Sequence, residues 1–210
     1  AELLGFKTYA EYRTGDRMAK SPQTVWDFEN NLVDKLKEKA QIDYDELLSV
    51  KRAKLGSDTI NVIQPWETGY YNNILLKEKY ELDQNLVKEY FEINNVIDGL
   101  FQITQHLFGV EYEEIKDPSV WHKDVRLFNV MQDGKIISRF YIDLHPRPNK
   151  YSHAACFPMI GSKETENGPQ LPTATLVCNF PAATADMPSL LPHGDVETFF
   201  HEFGHVLHSV

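Results

Sequence analysis

Near the end of the sequence His201, Glu202 and His205 stand in the order HExxH, as His201-Glu202-Phe203-Gly204-His205. Residues four apart on a helix lie one above the other on one face, so two imidazoles at this spacing can converge on one cation. Zinc takes neutral imidazole nitrogen at about 2.0–2.1 Å, a reach that such stacking permits. Glu202 lies beside the same face. A metal there would lower the pKa of a water and polarise a peptide carbonyl, while the Glu202 carboxylate carries the proton toward the leaving amine. The pattern alone arises on the order of once per hundred chains of this length, so its surroundings matter. Val196, Phe199, Phe200, Phe203, Val206 and Leu207 form an apolar stripe at helical spacing, with His201, His205 and His208 on the other side. Such a helix buries one face and offers its histidines to a cleft. The competing reading is an amphipathic helix whose histidines simply face water.

A third protein ligand is not supplied by the next turn. The metzincin pattern would place Gly at position 208 and another His three residues later, whereas this chain has His208. His208 is two turns beyond His201, too far along a straight helix to share one ion easily, and reads as structural or as a hydrogen-bond partner. That leaves a carboxylate from a later helix, the gluzincin plan, and no residue here fills that role. Glu197, four residues before His201, fits either as a hydrogen-bond acceptor for a metal-bound histidine or, with Asp195, as favourable charge at a helix N-terminus. The strand-like run from Thr173 to Phe180 precedes this helix as an edge strand would in a zincin that binds substrate by strand addition. Val177 on that strand, and His153 and Ala154 upstream, are therefore candidates for substrate contact. His153 and His145 read equally as loop-holding residues.

The bulk properties bound these possibilities. The chain has 210 residues, 42% hydrophobic and 25% charged, enough to bury a sizeable core. A net charge of -10 with no basic stripe argues against nucleic acid as a partner. No apolar run approaches the roughly 18–20 residues that span a bilayer, and no leader opens the chain. Cys156 and Cys178 have no CxxC partner and read as reduced thiols of a cytoplasmic protein. No obligate protein partner is evident. Both ends read as helix interior, so the expectation is a piece of a larger catalytic domain.

Helices come first. Ser21 with Pro22 is a strong start signal for a helix to about Ala40. Asp43 and Glu46 resemble a capping box opening another helix that stops at Gly56. Pro65-Trp66-Glu67 opens a third, and Asp83 a fourth stretch that runs to Gly109 with a break near Asn94-Asn95. After Pro118 the pattern turns strand-like, with Gln132-Asp133-Gly134 as a hairpin turn. A Pro-rich loop, the strand ending at Phe180, another loop and a helix from about Asp195 complete the chain. The predicted organisation is a helical part over 1–118, a small β part with loops over 121–184, and a truncated zinc-binding helix over 194–210.

The run Gly194 to His208 resembles the active-site helix of the thimet oligopeptidase and neurolysin family of zinc metallopeptidases. So do Phe140 to Pro146 (FYIDLHP), Lys150 to Phe157 (KYSHAACF), Asn179-Phe180 and Asp83 to Phe91. These segments occur in order along nearly the whole chain. The resemblance implies a mainly α (α+β) fold, a helical zincin-type oligopeptidase with a small β-sheet beside the active-site helix. It implies a zinc endopeptidase that cuts short peptides in a deep, mostly helical channel. His201 and His205 would be zinc ligands and Glu202 the general base. The family's glutamate ligand, and the Tyr and His residues that stabilise its tetrahedral intermediate, lie downstream of this segment, so the piece alone is expected to be inactive. The rival from another class is a metal-free helical interaction module with a vestigial HExxH.

Overall fold

The computed structural model describes residues 1–210, which form two compact units, Ala1–Leu82 and Asp83–Val210. The first unit is helical: a 3-10 turn at Glu2–Leu4, then α1 (Tyr9–Gly15), α2 (Pro22–Leu55) and α3 (Thr68–Tyr80). The Ser21 hydroxyl accepts from the Thr24 N–H at 3.2 Å, Pro22 takes the first helical position, and Gly56 closes α2 at φ 63°. Between them runs one helix of 34 residues, so the expected interruption near Ala40 does not occur. Asp43 makes no cap there. Its carboxylate pairs with Lys39 one turn back, and Gln41 donates to Asp45 one turn on, both as interior helix pairs.

The third helix begins at Thr68, later than Pro65, because Glu67 serves another role. Its carboxylate accepts from Gln64 N–H at 2.8 Å and from the buried Lys51 ammonium at 2.6 Å. Lys51 also donates to Val62 O at 3.0 Å, and Ile63 N–H donates to the Tyr44 hydroxyl at 3.0 Å. These bonds fix the loop between α2 and α3.

The second unit opens with α4 (Gln84–Val87), a 3-10 turn (Lys88–Tyr90) and α5 (Ile93–Phe108). The interruption falls where expected, since the Glu92 carboxylate accepts from Asn94 and Asn95 N–H and starts α5 afresh. The strands are β1 (Glu111–Glu114), β2 (Arg126–Gln132), β3 (Lys135–Asp143), β4 (Ala155–Ile160), β5 (Lys163–Thr165), β6 (Gly168–Gln170) and β7 (Thr173–Val177). The unit ends with α6 (His193–Ser209), which starts two residues before the expected Asp195.

Five strands form a sheet in the order β1-β2-β3-β7-β4, and β5 pairs with β6 apart from it. The β2–β3 hairpin turns on Asp133-Gly134 as the sequence predicts, with both residues at positive φ. β3 and β7 run parallel, and β4 runs antiparallel to β7 on its far side. Four strands were not legible as such. β1 lies in the stretch read as helical, and it is polar enough (Glu-Tyr-Glu-Glu) that only its pairing with β2 makes it a strand. β4, and the β5–β6 pair after it, lie in the stretch read as a Pro-rich loop. β4 tolerates Pro158 because it is an edge strand, where a missing N–H breaks no necessary bond.

One face of the sheet is covered by α5 and α6. α5 contributes Ile93, Val96, Ile97 and Leu100 to this core, and α6 contributes Phe199, Phe203 and Val206. At its centre the Phe140 ring lies 5.2 Å from Phe128 and 5.3 Å from Phe203, with Phe101 and Tyr112 completing the cluster. Such ring pairs add to the stabilisation from area burial alone.

At the C-terminal ends of β3 and β7 sits a buried charge network. The Asp143 carboxylate accepts two bonds from Arg147, at 2.7 Å each, one from Trp121 Nε1 at 2.9 Å, and lies 2.9 Å from Lys150 Nζ. Burial alone would raise this carboxyl, but the bonds from Arg147, Lys150 and Trp121 outweigh it and hold the pKa at about 2.

Phe140→Ala is expected to cost about 3–5 kcal/mol in urea unfolding. Ser138, whose buried hydroxyl has no hydrogen-bond partner, should tolerate alanine with a gain of up to about 1 kcal/mol. Asp143→Asn should destabilise by about 3–5 kcal/mol at neutral pH, because it strands the buried cations. The Asp143 pKa is depressed on folding, so its contribution is full above the unfolded value and fades as pH falls toward 2. The gap between wild type and Asp143→Asn should therefore narrow by about 2 kcal/mol between about pH 4 and pH 2, measured by unfolding at each pH.

Candidate active site

The motif residues lie in the middle of α6, and their orientation follows from what the helix buries. Phe199, Phe203 and Val206 are fully buried, while His201 and His205 are exposed on the opposite side. The apolar stripe thus packs as the sequence predicts, except that Phe200 is left partly exposed beside α5. The two imidazoles stand edge to face with ring centroids 4.9 Å apart, and their Nε2 atoms are 3.2 Å apart.

That separation permits a test of metal fit. Two donors at about 2.0–2.1 Å from a tetrahedral zinc lie about 3.3 Å from each other. The Nε2 pair meets this within about 0.2 Å without any change of rotamer. The donor set is nevertheless partial, since no third His, Cys, Asp or Glu joins the pair in a group able to hold a metal. His208 is exposed and stands outside the pair, as expected. Glu197 turns back toward His193, with Oε2 3.7 Å from Nδ1, and so does not orient His201.

Glu202 is half-buried and forms one wall of an open cleft of about 360 Å³, with His205 and Ser209 from α6. The opposite wall is Ala154, Ala155, Cys156 and Pro158, on and just before β4. A larger hollow of about 490 Å³ lies along α2 in the first unit, lined by Leu32, Val33, Leu36 and their neighbours, and holds none of the motif residues.

The expected edge strand is corrected by the topology. β7 is interior, paired with β3 on one side and β4 on the other, and each of its five residues is buried. Val177 is 8% exposed and pairs with Asp143 and Ala155, so neither its backbone nor its side chain is open to a substrate. The edge beside the cleft is β4. Of the other two candidates, Ala154 lines the cleft, whereas His153 is exposed against Tyr151, ring centroids 5.7 Å apart. His145 holds the loop: its Nδ1 lies 3.2 Å from Phe180 O. Sequence reasoning missed Ala155, Cys156, Pro158 and Ser209 as cleft residues. The prolines around β4 masked it, and its place opposite Glu202 depends on pairing with β7.

Both cysteines are free. Burial pushes the Cys156 thiol up, against a hydrogen bond with Ser209 that lowers it, and the Glu202 carboxylate adds to the rise. Cys178, buried beneath β7's end, is pushed up to about 12, first by burial and then by Glu202. Neither thiol is a thiolate at neutral pH. No helix is long and apolar enough to cross a membrane.

Residues 1–210 match peptidase family M3. The chain is 39% identical over 220 residues to the thimet-like oligopeptidase of Dictyostelium discoideum, covering 100% of this chain and 33% of the relative. It is 39% identical over 224 residues to saccharolysin of Saccharomyces cerevisiae, covering 100% of this chain and 31% of the relative. With oligopeptidase A of Escherichia coli the identity is 34% over 210 residues, 99% of this chain and 30% of the relative. The chain thus spans about a third of the length of the curated relatives it matches. With the match running from the first residue to the last and taking in the HExxH helix, the chain belongs to peptidase family M3, a family of metallopeptidases.

Proposed function

We propose that these residues are the zinc-binding part of a zinc-dependent endopeptidase that hydrolyses short oligopeptides in the cytoplasm. The observation that carries this reading is the Nε2 pair 3.2 Å apart on the exposed face of α6, with Glu202 on the wall of the adjoining cleft. His201 and His205 hold the metal, and the third donor comes from another part of the full-length protein. When bound, zinc supplies Lewis-acid polarisation of the scissile carbonyl and makes water more acidic.

The chain's own residues do the rest. Glu202 accepts a proton from the attacking water and returns it to the departing amine nitrogen, a transfer its half-buried position favours by limiting solvent. The unpaired side of β4 offers backbone groups to an extended peptide, which would lie across the cleft with Ala154 and Cys156 against it. His153, next to Ala154, would meet a substrate side chain. The free, protonated thiols suit a reducing compartment.

In the full-length enzyme Glu202→Gln should keep stoichiometric zinc and lose about 10²–10⁴-fold in kcat on a short quenched peptide. His201→Ala should drop zinc well below one per chain at equal fold content. Retained cleavage by Glu202→Gln would overturn the reading, and no zinc uptake by the wild type in a titration would overturn it in favour of the metal-free interaction module.

A further inference from the structure

The cleft wall opposite Glu202 begins at Ala154, one residue before β4 joins the sheet ladder at Ala155. The position of Ala154 therefore depends on the connection that delivers it. That connection, residues 144–154, must leave the end of β3, pass over the end of the interior strand β7, and enter β4 on the far side. Crossing strand ends in this way exposes carbonyl oxygens that the sheet does not satisfy.

Two side chains bond the carbonyls gathered there. Lys150, its side chain 3% exposed, donates to Asp143 O at 2.9 Å, His145 O at 2.6 Å and Cys178 O at 2.6 Å, while the Asp143 carboxylate balances its charge. A compact ammonium with three donors suits converging carbonyls in a way a planar guanidinium does not. One step further along, Asn179 Nδ2 donates to Tyr151 O at 3.0 Å and to His153 O at 3.4 Å. Asn179 itself is fixed by its neighbours, since Cys178 N–H bonds Asp143 O and Phe180 N–H bonds Leu144 O, each at 2.8 Å. Lys150 thus ties the start of the crossing to β3 and β7, and Asn179 ties its last turn, next to the cleft.

We propose that Lys150 and Asn179 are positioning residues for peptide binding: they hold Tyr151–Ala154 over the end of β7 and so set the cleft wall that faces Glu202. They act through the backbone they hold, so they govern how firmly a peptide is seated. This inference rests on the peptidase reading for its kinetic consequence, but the holding of the segment is measurable without it.

The test uses Asn179→Ala and Asn179→Asp in the full-length zinc enzyme, with Lys150→Met as the stronger variant. Asn179→Asp keeps the shape and removes both donors, and should match Asn179→Ala. KM for a short peptide should rise about tenfold while kcat stays within about threefold and zinc content is unchanged. Amide hydrogen exchange at residues 151–155 should quicken by about tenfold, with β1 and β2 unaffected. Unchanged exchange at 151–155 overturns the inference, and so does a fall in kcat at constant KM or an exchange increase spread over the whole sheet. Should the wild-type protein cleave no peptide at all, the peptidase reading fails separately, and the exchange rates alone decide whether Asn179 holds the segment.

Discussion

The site depends on where Phe203 goes. It is the middle residue of the HExxH run, and at 3.6 residues per turn it points about 200° away from both His201 and His205. Burying its ring among Phe101, Tyr112 and Phe140 therefore forces the two imidazoles outward together. Phe199 and Val206, also fully buried, lengthen this seam and prevent the helix from rolling. Glu202, about 100° from each neighbour around the helix, is left at the boundary between packed and open surface, which is where a half-buried carboxylate can face a cleft. The apolar cluster and the polar constellation are thus one arrangement seen from two sides.

A second constraint comes from the sheet. A parallel pair such as β3 and β7 needs a long connection, and here that connection contributes β4, which returns antiparallel and becomes the edge. The edge lies beside the HExxH helix because α6 crosses the sheet at β7 and β4. The cleft is therefore bounded by the last residues of α6 and the first residues of β4, two segments separated in sequence by the whole of β5 to β7. The buried Asp143–Arg147–Lys150 network sits at the point where this crossing begins. An ion pair so enclosed is worth little for stability compared with apolar packing, and it makes better physical sense as a means of fixing geometry.

What the sequence revealed follows the range of the forces involved. The capped start at Ser21, the Gly56 stop, the Asp133-Gly134 turn and the apolar stripe of α6 are set within a few residues, and each was legible. Asp43 misled because a capping residue and an interior helix pair with Lys39 look alike until the preceding turn is known to be helical. The position of β7 misled for the opposite reason. Whether a strand is edge or interior depends on a partner elsewhere in the chain, and the partner, β4, is disguised by Pro158 and its proline-rich surroundings. The HExxH pattern could be read because it lies on one helix; the cleft wall could not, because it is made by pairing across the sheet.

The geometry of the histidine pair carries its own implication. Two imidazole Nε2 atoms 3.2 Å apart cannot both present lone pairs to each other without repulsion, nor can both present protons. Either one ring donates to the other or a cation stands between them. Only in the second case must both rings carry their proton on Nδ1, a change of tautomer in one ring that needs no rotation of either. The helix thus holds the pair at a spacing compatible with both states. The step between them is a proton shift rather than a rearrangement of packed side chains, so the rigid anchoring of Phe203 does not oppose it.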